Sequence, residues 1–123
     1  MPKIAIIDDD ADIVEALTML LTAKGYSVVS AANIPEAITV VDGEKPDLIL
    51  LDVMMDEPDD GFYLANKFKQ KGVKTPIIML TSVSKAVGYE FGKGQVLPID
   101  DYIEKPVTPS VLLEKISKCL KTK

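Results

Sequence analysis

Short runs that are apolar on both faces alternate along this chain with amphipathic segments of helix length. Lys3 to Asp8 (KIAIID), Tyr26 to Ala31 (YSVVSA), Asp47 to Asp52 (DLILLD) and Ile77 to Thr81 (IIMLT) are strand-like, and Asp101 to Glu104 forms a shorter fifth run. A strand that is apolar on both faces must be covered on both, and strands joined by helix-length crossovers run parallel. The pattern therefore predicts an α/β fold: a doubly wound, five-stranded parallel sheet with helices on both sides. No internal repeat or low-complexity tract interrupts it, so residues 1–123 are read as one domain.

The intervening segments carry helix signals. Asp10 to Lys24 places Ile13, Ala16, Leu17, Leu20 and Leu21 at helical spacing, and Gly25 stops it. Asn33 with Glu36 three residues on resembles a capping box, with Pro35 in the first turn of a helix expected to end near Asp42-Gly43. Gly61 to Lys71 puts Leu64, Ala65 and Phe68 on one side and ends at Gly72. Thr108 caps a last helix with Pro109 in first position and a stripe of Leu112, Ile116, Cys119 and Leu120. Ser84 to Pro98 resists the pattern, because Gly88, Gly92 and Gly94 each cost a helix interior about 1 kcal/mol relative to Ala. The fourth helix is expected to be irregular.

Composition narrows the chemistry. Nineteen acidic residues against fourteen basic ones give a net charge of −5, with no long lysine or arginine block, which argues against nucleic-acid binding by this chain. There is no histidine, which removes imidazole catalysis and the common zinc sites, and the single Cys119 excludes an internal disulfide. The apolar runs fall far short of the roughly 20 residues that span a bilayer, and Met1-Pro2-Lys3 enters the first strand without a signal pattern. A cytoplasmic protein without membrane contact is expected.

In open α/β sheets ligands bind beyond the carboxyl ends of the strands. Those ends carry Asp8-Asp9-Asp10, Asp52, Thr81 and Lys105. Taken singly, an aspartate there is often a helix cap, a threonine a strand residue and a lysine a solvated charge. Taken together they form a polar set on otherwise apolar segments. Clustered carboxylates repel unless a cation neutralises them, and an all-oxygen set suits Mg²⁺. Beside such a cation, an ionised Asp52 can act as a nucleophile toward phosphorus.

The sequence resembles the receiver domain of two-component response regulators, the CheY-like family, over nearly its whole length. The resemblance rests on IAIIDDDADI, DLILLDVMM, PIIMLTS and DYIEKPVTP. It implies a flavodoxin-like sheet of order 2-1-3-4-5. It implies that Asp52 is the phosphoacceptor, taking a phosphoryl group from a sensor histidine kinase or phosphotransfer protein. Asp8, Asp9, Asp52 and the backbone carbonyl of Met54 would hold Mg²⁺, Asp8 mostly through water. Thr81 and Lys105 would contact the phosphoryl oxygens, and Tyr102 would be the aromatic switch that follows Thr81. The surface of the fourth helix, fifth strand and fifth helix would carry the signal to an unidentified output protein, or into a phosphorylation-dependent homodimer. Such a chain is a signalling phosphoacceptor and not a turnover enzyme.

The sequence also departs from the family pattern. The loop after Asp52 is one residue longer and carries Asp56, Glu57, Asp59 and Asp60, which predicts an altered metal affinity. Met54 and Val83, two residues beyond Asp52 and Thr81, are apolar and poorly suited to hold an attacking water, so slow self-dephosphorylation is expected. An aspartate-nucleophile phosphatase would need a second Asp where Met54 stands. A flavodoxin-like electron carrier shares the fold class, but the Asp-rich loop after the first strand would repel a flavin phosphate. A receiver-like interaction module that is never phosphorylated is the third alternative.

Overall fold

The computed structural model describes residues 2–52, 60–81, 101–104 and 107–121. Its elements follow the order β1 (Lys3–Ile7), α1 (Ala11–Ala23), β2 (Ser27–Ala31), α2 (Ile34–Glu44), β3 (Leu48–Asp52), α3 (Asp60–Gln70), β4 (Ile77–Thr81), β5 (Asp101–Glu104) and a C-terminal helix (Pro109–Lys121). The strands form one parallel sheet in the order β2-β1-β3-β4-β5. Ile4 sits between Val28 and Leu48, Ile49 opposite Ile77, and Ile78 opposite Asp101. The expected fourth helix at Ser84 to Pro98, the acidic loop residues Asp56, Glu57 and Asp59, and the site residues Met54 and Lys105 lie outside the described residues.

Side chains of successive strand residues point to opposite faces, and each face builds its own core. Ala5, Ile7, Ile49, Leu51 and Met79 meet Ala37 and Val41 of α2 and Leu64, Ala65 and Phe68 of α3. Ile4, Ile6, Leu48, Leu50, Ile78, Leu80 and Ile103 meet Leu17 and Leu21 of α1 and Leu112 and Ile116 of the C-terminal helix. All of β3 is buried, as expected for the middle strand of a sheet covered on both sides. Each large apolar side chain buried this way contributes about 1.5–3 kcal/mol.

The helix ends follow local chemistry, with two corrections. Gly25 and Gly72 adopt φ of +92° and +83°, so they turn the chain after α1 and α3 at no steric cost. α2, expected to end near Asp42-Gly43, ends one residue on at Glu44, and Lys45, not a glycine, takes the left-handed cap at φ 50°. That last residue brings the Glu44 carboxylate within 2.8 Å of the Lys3 ammonium, tying the helix end to the start of β1. Ala16, assigned to the buried stripe of α1, is exposed, and Val14 packs partly against the core instead. Two residues apart, they lie 200° apart around the helix at opposite edges of the stripe, so a small error in where the stripe is centred exchanges them.

Candidate functional site

The topology brings β1 and β3 side by side, with Ile7 opposite Leu51, so the residues that follow at their carboxyl ends are neighbours. Asp8 extends the ladder by one step, its N–H donating to the Ala31 carbonyl at 3.0 Å. Asp52 is the last residue of β3. These positions leave Asp8 1% and Asp52 3% exposed, the two buried charged side chains among the described residues, while Asp9 stands out in the turn and is exposed.

The three consecutive aspartates have separate tasks. Asp10 is the N-cap of α1: its Oδ1 accepts from the N–H groups of Asp12 at 3.0 Å and Ile13 at 3.3 Å. The N–H of Asp10 in turn donates to Asp8 Oδ1 at 2.9 Å. This bond fixes the Asp8 carboxylate at the lip of the sheet. Asp8, Asp9 and Asp52 each offer an oxygen, and these oxygens lie within 4.8 Å of one another. At that spacing two like charges repel by about 3–4 kcal/mol at an effective dielectric constant of about 20. Such a set is chemically suited to a hard divalent cation with oxygen ligands.

Of the remaining residues singled out in the sequence, Thr81 ends β4, one residue beyond Leu80, which lies opposite Asp52, and so falls at the same end of the sheet. Tyr102 lies in β5 opposite Met79. The sequence did not point to Ser30 and Glu36, which border a cleft shared with Asp8 and Asp9. The only signal there was the Asn33/Glu36 capping pattern, which reads as helix chemistry. In the structure Asn33 Oδ1 accepts from the Glu36 N–H at 2.9 Å, and Glu36 Oε1 reaches past Asn33 to the N–H of Ala32 at 2.9 Å.

A parallel α/β sheet with polar side chains gathered at the carboxyl ends of its inner strands defines a class of open α/β proteins whose ligand site lies beyond those ends. Within that class, the family model for the response regulator receiver domain matches residues 4–117, and the chain belongs to that family. It is 36% identical over 121 residues to the alkaline phosphatase synthesis transcriptional regulatory protein PhoP of Bacillus subtilis, covering 97% of this chain and 48% of that protein. It is 40% identical over 122 residues to the phosphate regulon transcriptional regulatory protein PhoB of Pseudomonas aeruginosa, covering 96% of this chain and 51% of that one. The chain thus spans about half the length of these relatives. Among solved structures, the BeF3-activated N-terminal receiver domain of RstA from Klebsiella pneumoniae superimposes with a TM-score of 0.83 at 30% identity, over 96% of this chain and 97% of that one.

Proposed function

We infer that this chain is a phosphoacceptor: Asp52 takes a phosphoryl group from the phosphohistidine of a sensor histidine kinase or phosphotransfer protein. The observation that carries the reading is the gathering of the Asp8, Asp9 and Asp52 oxygens within 4.8 Å at the end of two buried strands. A carboxylate oxygen of Asp52 attacks phosphorus, the O–P bond forms as the P–N bond breaks, and the electron pair leaves with the imidazole, which takes up a proton. Asp8, held by the Asp10 N–H, and Asp9 orient toward the same point and, with the Met54 carbonyl, would hold Mg²⁺ there. The cation supplies positive charge that offsets the carboxylates and the transferred oxygens. Thr81 and Lys105 are the partners for the new phosphoryl oxygens, and Tyr102 follows Thr81.

The group adds about −1.5 to −2 charge and three acceptor oxygens, enough to bias a two-state surface. By the family resemblance, that surface is the one of Ser84 to Pro98, β5 and the C-terminal helix, and it acts on an output protein or on a second copy. The chain accelerates its own phosphorylation and dephosphorylation and turns over no released substrate. Among the described residues no helix is long and apolar enough to cross a membrane, and the reading places the protein in the cytoplasm. Activation of the similar RstA receiver domain by BeF3, a stand-in for a phosphoryl group, supports the same chemistry here.

The test is intact mass after incubation with acetyl phosphate, with and without Mg²⁺, beside Asp52→Asn. One phosphoryl adduct that requires both Mg²⁺ and Asp52 is the expected result. A folded protein that takes up no phosphoryl group would overturn the reading in favour of a phosphorylation-independent interaction module.

A further inference from the structure

β2 forms one edge of the sheet, and among the described residues no strand pairs with its outer side. In a parallel ladder the backbone groups of alternate residues face the same neighbour. The Ser27 N–H donates to the Pro2 carbonyl at 2.9 Å and the Ala31 carbonyl accepts from the Asp8 N–H at 3.0 Å. Ser27, Val29 and Ala31 therefore face β1, and the N–H and C=O groups of Val28 and Ser30 face outward. Edge strands are commonly guarded by lysine, proline or a bulge. The strand SVVSA carries no charge and no proline.

Two clefts meet at this edge. One, of about 290 Å³, has Ala11, Val14 and Glu15 of α1 on one wall and Ala32 and Glu36 on the other, with Asp8 and Asp9 at its upper end. The second, of about 280 Å³, runs along α2 past Pro35, Thr39 and Val40. Ser30 and Glu36 line both, so the two form one trough with Ser30, at the carboxyl end of the β2 edge, in its floor, and the outward groups of Val28 continue that edge beyond it. The walls are mainly apolar. Every charged side chain lining the trough is acidic, and the acids gather at the end where β2 finishes.

We propose that this trough is a docking site for an extended segment of another protein, added as a sixth strand along β2, with a lysine or arginine at the end that lies over Asp9, Glu15 and Glu36. Three independent features select that occupant. The outward N–H and C=O groups of Val28 and Ser30 are matched by a strand and not by a helix, whose own backbone groups are already bonded. The apolar walls accept the alternate side chains of a strand and the methylene stem of a basic one. The acidic end repels nucleic acid and attracts a cation. A second copy of this chain fits less well, because its own β2, SVVSA, carries no basic residue to set against Asp9, Glu15 and Glu36. The surface is distinct from the switch face but shares Asp9 with the proposed Mg²⁺ site, so the binding is measured without Mg²⁺.

The experiment uses the ¹⁵N-labelled chain and two heptapeptides, Arg-Arg-Val-Thr-Val-Thr-Val and its reverse, which cover the two strand directions. The expected result is that one of them shifts the amide signals of Val28, Ser30 and Glu36. Replacing its arginines by glutamates should weaken binding at least tenfold. Ser30→Pro removes one outward N–H without touching the β1 ladder, and Glu15→Lys reverses one charge on an exposed helix face. Each should weaken binding at least fivefold, read by fluorescence anisotropy, with the fold checked by circular dichroism. Absence of shifts at Val28 and Ser30 with both arginine peptides at millimolar concentration overturns the proposal, as does equal binding of the glutamate peptide. Shifts at these amides that grow with protein concentration alone overturn it too, and assign the edge to a second copy.

Discussion

Asp52 shares the end of the sheet with two other carboxylates. Their oxygens lie within 4.8 Å of one another, two of them on buried residues, so their mutual repulsion is one contribution that a cation offsets. Asp52→Asn should therefore raise the stability of the metal-free protein, by about 1–2 kcal/mol once solvent screening of exposed Asp9 is allowed for. Urea unfolding in EDTA measures this, and an unchanged or lower midpoint would contradict it. The same substitution should shrink the stabilisation by Mg²⁺, which for an intact site reaches about 2.7 kcal/mol at a hundred times the dissociation constant. Thermal melts with and without Mg²⁺ give that difference. Lys45 is a second residue under tension of a different kind, a side chain in the left-handed region at φ 50°. Lys45→Gly should stabilise the protein by about 0.5–1 kcal/mol, because glycine enters that region without a Cβ clash; a loss in the same urea assay would refute this.

The elements are held by caps at their ends and by one shared core on each face of the sheet. Asn33 Oδ1 satisfies an otherwise orphaned N–H in the first turn of α2, so Asn33→Ala should cost about 1 kcal/mol. Phe68, fully buried between α3 and the sheet, should cost about 3–5 kcal/mol on replacement by Ala. Denaturant midpoints separate the two, and a Phe68→Ala loss no larger than that of Asn33→Ala would show that α3 does not anchor its face. Much of this level was legible in the sequence, because burial on both faces leaves continuous runs such as LILLD, and a glycine at φ +92° leaves a stop. The end of α2 was legible to within one residue, while the contact that Glu44 makes with Lys3 was not, because it depends on a residue 41 positions away that no local signal carries. The carboxylate cluster was legible for the opposite reason, since strand ends that are neighbours in the sheet appear in sequence as acids closing apolar runs. The trough beside it was hidden, because Ser30 and Glu36 have ordinary roles in a strand and a cap until two helices frame them.

At the scale of the whole molecule the topology gathers acid at one end of the sheet. Asp9, Asp10, Asp12, Glu15 and Glu36 lie with Asp8 and Asp52 where the strands end and α1 and α2 begin, and no described lysine joins them there. At the opposite end Lys3 and Lys71 are offset by Glu44 and Asp42, with Lys24 and Lys45 nearby. Such a field is long-ranged at low salt and is cut off beyond about 10 Å at 0.1 M. The affinity for Mg²⁺ should accordingly fall several-fold between about 20 and 200 mM KCl, since exposed acids around the cluster contribute through space. Isothermal titration at the two salt concentrations measures it, and a constant affinity would confine the attraction to the three carboxylates. The strand order has a consequence of another sort, for the chain as it is made. β1 is made before β2 and β3 and stands between them, so its hydrogen bonds on one side wait for residues 27–31 and on the other for residues 48–51. Every step of the sheet must therefore close a crossover before it gains a ladder, which slows folding. An Ile-rich strand emerging from the ribosome stays without partners until α1 and then α2 have followed it, and in that interval the nascent chain is most in need of a chaperone's cover.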